Sequence, residues 1–148
     1  MARNVFSQTN TAVVPLVPAT EKSALQLIAG AAIVAITGVD ITFDGTSNTA
    51  VPIIVKLVTT STAGTGTARN PLKTTDRATA LILTGTENHT VEGTSANILK
   101  IFHVHPQGGV YYPFSAKCEL EIPTAGRLAL KLTAPAGVNC LATLHGEE

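Results

Sequence analysis

From residue 23 onward apolar and polar positions alternate over short spans, the two-residue period of a strand and not the 3.6-residue period of a helix. Residues 127–133 (RLALKLT) show it most clearly, with Leu128, Leu130 and Leu132 predicted inward. Residues 51–59 (VPIIVKLVT) place Ile53, Val55 and Leu57 on one face and Lys56 on the other, and Pro52 suits the start of a strand or a sheet edge. Residues 33–43 (IVAITGVDITF) are rich in β-branched side chains and run into Asp44-Gly45, a turn signal. Residues 24–36 carry enough alanine to permit a helix, but Gly30 and the density of Ile and Val favour two strands with a bend at 29–32. Residues 98–105, 110–114, 117–122 and 138–144 read as further strands. About eight short strands, turn signals every 8 to 12 residues and no convincing helix predict an all-β, single-domain β-sandwich of jelly-roll type.

Two stretches fall outside this pattern. Residues 1–22 hold Pro15, Pro18 and only small apolar pieces, too few for a core, and are expected to form an extended N-terminal arm. Val5, Phe6, Val13 and Val14 would be its contacts with a neighbouring subunit, the sandwich itself occupying 23–148. Residues 60–97 contain one short apolar run, 80–83, between Gly/Thr-rich stretches, and are expected to be surface loops that carry contacts.

Composition narrows the function. A chain of 148 residues has room for one domain. Charged residues make 14 % of it, against roughly 25 % in an ordinary soluble domain, while Thr numbers 22 and Ala 20. Ten basic and ten acidic side chains cancel, so no overall field gathers phosphates or anionic lipid, and neither nucleic acid nor membrane is expected as a partner. A neutral, charge-poor surface is poorly protected against self-association, which points to a component of an assembly. Cys118 and Cys140 are too few for a disulfide framework and are expected as packed thiols in a reducing compartment. The apolar run 24–39 contains Gln26 and Thr37 and falls short of the ~20 residues that span a bilayer. Lys22 follows a polar, proline-bearing stretch, unlike the basic start of a signal peptide, so a cytosolic, soluble product is expected.

Little in the sequence points to chemistry. His103 and His105 are two apart, so on a strand both imidazoles would face one metal, as in the cupins, which are also jelly rolls. The cupin pattern continues with a carboxylate about four residues on, where this chain has Gln107-Gly108-Gly109-Val110; its next acid is Glu119. No metal and no cofactor are therefore expected. No Gly-x-Ser-x-Gly elbow occurs, nor the Gly-x-x-x-x-Gly-Lys loop that cradles phosphate, and no enzymatic activity is expected. Arg69, Lys73 and Arg77 form the one basic cluster, either a solvated face or a patch docking on an acidic partner. Asn88-His89-Thr90 matches a glycosylation sequon, a triplet that a Thr-rich chain produces by chance.

Three stretches carry a family resemblance. They are ITFDGTSNTAVPIIVKLVTTSTAGT, FHVHPQGGVYYPF and the C-terminal GRLALKLTAPAGVNCLATL, with Phe43-Asp44-Gly45-Thr46, His105-Pro106-Gln107-Gly108-Gly109 and Thr133-Ala134-Pro135-Ala136 as the most specific pieces. Across residues 25–148 the chain resembles the capsid decoration, or cement, proteins of tailed bacteriophages, including phages of thermophilic bacteria. The resemblance implies a jelly-roll sandwich that assembles as a homotrimer on the outer face of the virion, where it binds the major capsid protein and stabilises the shell without catalysis. In that setting His105 to Gly109 would be a structural turn, since Pro106 restricts the residue before it and the glycines allow close backbone approach. Another virion role, a head fibre or a tail component, shares the same features. The YYPF segment, residues 111–114, is more aromatic than the family leads one to expect and is a candidate contact with a neighbour.

Overall fold

The computed structural model describes residues 3–45, 49–75 and 78–148. Among these the chain forms thirteen strands and no helix, in two antiparallel sheets packed face to face. One sheet runs β10 (Gly109–Pro113), β4 (Val34–Phe43), β13 (Val138–Glu147), β1 (Val5–Thr9), β7 (Leu72–Lys73); β11 (Leu120–Ile122) lies further along β4, and β2 (Val14–Leu16) further along β13. The second runs β6 (Thr65–Ala68), β8 (Thr84–Val91), β3 (Glu21–Ile28), β12 (Arg127–Thr133), β5 (Ile53–Thr60), β9 (Ser95–Val104). The architecture is an all-β sandwich, as the alternation predicts. No helix among the described residues is long and apolar enough to cross a membrane. The apolar run 24–39 is spent on β3, the bend after it and β4.

The core forms because the inward positions of facing strands are nearly all aliphatic. Leu128, Leu130 and Leu132 of β12 and Ile53, Val55 and Leu57 of β5 meet Val39 and Ile41 of β4 and Leu144 of β13 in one cluster. A buried side chain of this kind contributes about 1.5 to 3 kcal/mol. In β4 the inward set changes parity, from Val34 and Ile36 to Val39 and Ile41. A shift in register between His145 and Gly146 of β13 absorbs the extra residue, so both halves of the strand stay buried.

Three features differ from the sequence expectation. The first is the arm. Residues 5–9 are an interior strand of the sandwich, paired to β13 on one side and β7 on the other, and Phe6 and Val14 are buried core residues. Gly146 is what admits Phe6, since a Cβ there would lie 2.5 Å from Phe6 Cζ. The domain therefore starts before residue 23, and of the four residues assigned to an arm only Val13 is well exposed.

The second is the middle of the chain, where residues 60–97 supply β6, β7, β8 and the start of β9. Thirteen strands replace the eight expected. Arg77, Thr46 and the rest of residues 46–48 and 76–77 lie outside the described residues.

The third is that the outward face of β12 is covered as well. Lys131 is buried there, its Nζ donating to Gly93 O at 2.8 Å and lying 3.4 Å from Glu21 Oε1. The connection from β8 to β9, residues 92–94, forms this cover: Glu92 accepts hydrogen bonds from Ser23 N at 3.0 Å and from Ser23 Oγ. Gln26, beneath the same strap, donates to Thr60 Oγ1 at 3.0 Å.

Candidate interaction surface

The two lateral seams of the sandwich are built differently. Along β1 and β8 the sheets are joined by polar side chains. Gln8 donates through Nε2 to Gln26 O at 3.1 Å and Arg69 O at 2.8 Å, and Arg69 returns Nε to Thr9 O at 2.5 Å. Glu87 accepts from Thr11 N at 2.8 Å and from Asn10 Nδ2 at 3.2 Å. Burial alone would raise the Glu87 carboxyl, but these donors, with Arg69 nearby, outweigh it and hold the group below its ordinary value. Arg69 is thus a brace between strands, while Lys73 Nζ donates to Thr79 O at 3.1 Å. Both side chains of the basic cluster that the structure describes are thus bonded to backbone carbonyls.

The opposite seam is aromatic and open. Phe102 of β9 stacks on Tyr112 of β10 with ring centroids 5.3 Å apart, and Tyr112 meets Phe114 at 5.4 Å. Lys100 Nζ sits 4.8 Å from the centre of the Tyr112 ring, a cation–π contact. A cleft of about 310 Å³ opens here, lined by Lys100, Tyr112, Pro113, Phe114, Ser115, Cys118 and Leu120. The aromatic YYPF segment therefore divides by parity. Tyr112 and Phe114 serve the seam, while Tyr111 stands on the outer sheet face against Gly38 and edge-on to His145.

Beside the cleft, β9 ends its sheet, with no strand beyond it among the described residues. Its burial pattern has no inside and outside over the first five residues, all of which are exposed. Ile98 and Ile101 are 56 % and 52 % exposed and Leu99 37 %. A register shift against β5 lets Ile98 pair with Val58 and Ile101 with Lys56, so both isoleucines stand on the outward face although they are three apart. The sequence expectation placed a strand here but not its exposure. The absence of polar residues at alternate positions of Ile98-Leu99-Lys100-Ile101-Phe102 was the available signal.

His103 pairs with Ile54 on that outward face, and His105 follows the strand end; both are exposed. His105 Nδ1 accepts from Gln107 N at 3.2 Å and His105 O from Gly108 N at 3.1 Å, while Gly108 O takes Phe43 N at 3.3 Å, so residues 105–109 turn the chain from β9 into β10. No group of three or more His, Cys, Asp or Glu side chains converges among the described residues. His89 of the sequon-like triplet is buried, and burial lowers its pKa against the partial opposition of Glu92. Cys140 is buried, which pushes its thiol up to about 12, whereas Cys118 is exposed at the cleft.

No family model matches this chain, and no curated protein or solved structure matches it.

Proposed function

We propose that this protein is a structural component of a tailed-phage virion that binds the outer surface of the capsid as an oligomer and stabilises the shell. The observation that carries the reading is the exposed β9 edge with its outward isoleucines, on a sandwich whose charges sum to zero. A long apolar sheet edge is an association surface. The family resemblance supplies the setting: a jelly-roll body, three copies per assembly, and the major capsid protein as partner at the virion surface, reached from the host cytoplasm. The work is free energy of association, because a partner that binds only the assembled shell stabilises that shell by mass action. Several copies on one rigid body bind together more tightly than one alone. Mixing the purified protein with undecorated capsids and sedimenting the mixture tests the reading. Cosedimentation to saturation, with a raised disruption temperature of the shell, is expected; protein left wholly in the supernatant overturns it.

The rival reading, a cupin-like metal protein, draws on His103 and His105 alone. Metal content after purification without chelator separates the two. A stoichiometric ion lost on His103→Ala favours the rival.

A further inference from the structure

We propose that the β9 edge is a two-fold contact between two copies of this chain, which pair β9 to β9 antiparallel and extend the sheet across the interface. The contact uses the edge on which the shell-binding reading rests, but it assigns that edge to a second copy and expects a dimer where the family resemblance implies three copies, so it stands or falls separately from that reading.

The first support is contrast with the other free edges. The edge and near-edge strands β6, β7, β10 and β11 have four, two, five and three residues, and β10 ends in Pro113. Short edges and prolines are the ordinary protection against unwanted pairing. β9 has ten residues, no proline and no acid.

The second support is self-complementarity. With the two-fold axis between Leu99 and Lys100, Ile98 of one copy lies opposite Ile101 of the other, and the same pair recurs across the axis. Residues opposite each other in an antiparallel pair share a face. The register shift that puts Ile98 and Ile101 on one face of β9 therefore gathers four isoleucines into one outward cluster. A second copy presents the same two isoleucines by symmetry, so each copy supplies the apolar partner that the other's face needs. The one charge on the strand, Lys100, is drawn over the Tyr112 ring, and two neutral molecules meet without net repulsion. The two-fold also closes the edge, leaving no template for a third strand.

Sedimentation of the full chain over a wide concentration range tests the contact. The unaltered protein is expected to be a dimer. Ile101→Glu, placed opposite Lys56 where a carboxylate is welcome in the folded monomer, is expected to raise the dimer dissociation constant at least about tenfold. Ile98→Thr, which keeps strand propensity, should act in the same direction. Leu72→Thr, at an exposed position of β7, should leave the mass unchanged. Circular dichroism melts confirm that each variant is folded. A protein monomeric at every concentration, or an oligomer whose mass survives both β9 substitutions, overturns the proposal. A trimer indifferent to those substitutions would leave the shell-binding reading intact, and a β9-dependent dimer that ignores capsids would remove that reading alone.

Discussion

Asn10 and Glu87 hold one another across the seam between the sheets, Asn10 Nδ2 lying 3.2 Å from Glu87 Oε2. The same amide donates to Ala24 O in one sheet at 2.9 Å, and its Oδ1 accepts from Ala142 N in the other at 2.9 Å. One side chain thus satisfies backbone groups of both layers. Asn10→Leu fills similar space but strands those groups, and the expected loss is about 3 kcal/mol. A shift in the urea midpoint without a change in slope would measure it; a variant as stable as the parent would show that the seam contributes little.

Phe6 anchors β1 in the core, so the N-terminal strand is expected to be indispensable to folding. Phe6→Ala should cost about 3 to 5 kcal/mol. Deleting residues 1–20 removes two strands and should abolish cooperative unfolding. A truncated protein with a sharp thermal transition would restore the picture of a separable arm.

Acid should destabilise the fold in two steps. His89 is held below its ordinary 6.5 by burial, so its contribution is complete above that pH and is lost as pH falls below it. Glu21 follows at lower pH: burial raises it, but Lys56 at 2.8 Å and Lys131 outweigh this and hold it below its ordinary 4.5. Glu87 is depressed likewise, and both carboxylates contribute stability above 4.5 that disappears as they protonate. The thermal midpoint should therefore begin to fall near pH 6.5 and fall again through the carboxylate range. His89→Gln should flatten the first step only, and an unchanged profile would remove His89 as its cause.

The two thiols should behave oppositely. Cys118 is exposed and should react with a thiol reagent in the native protein, while buried Cys140 should react only on unfolding. Equal labelling of both under native conditions would contradict the packing around Cys140.

Where buried positions are aliphatic the fold is legible in the sequence, as in Leu128, Leu130 and Leu132 of β12. β1 and β8 escape notice because their buried positions are mostly polar. In β8 they are Gly85, Glu87 and His89; along and beside β1 they are Asn4, Phe6, Gln8 and Asn10. Such residues are buried only because a partner distant in sequence satisfies them, and no local period records that partner. Lys131 is missed for the same reason, since it is read as the solvent side of an alternating strand until residues 92–94 are laid across it. The β9 edge is hidden differently, because strand order decides which apolar strand is left uncovered.

The unequal seams make the molecule resemble a bound book. Directional hydrogen bonds at β1 and β8 form a stiff spine, whereas stacked rings, which slide at little cost, line the fore-edge where Phe102 meets Tyr112. Contacts with fixed directions therefore hold one margin of the sandwich, and contacts between ring faces hold the margin that bears the exposed isoleucines.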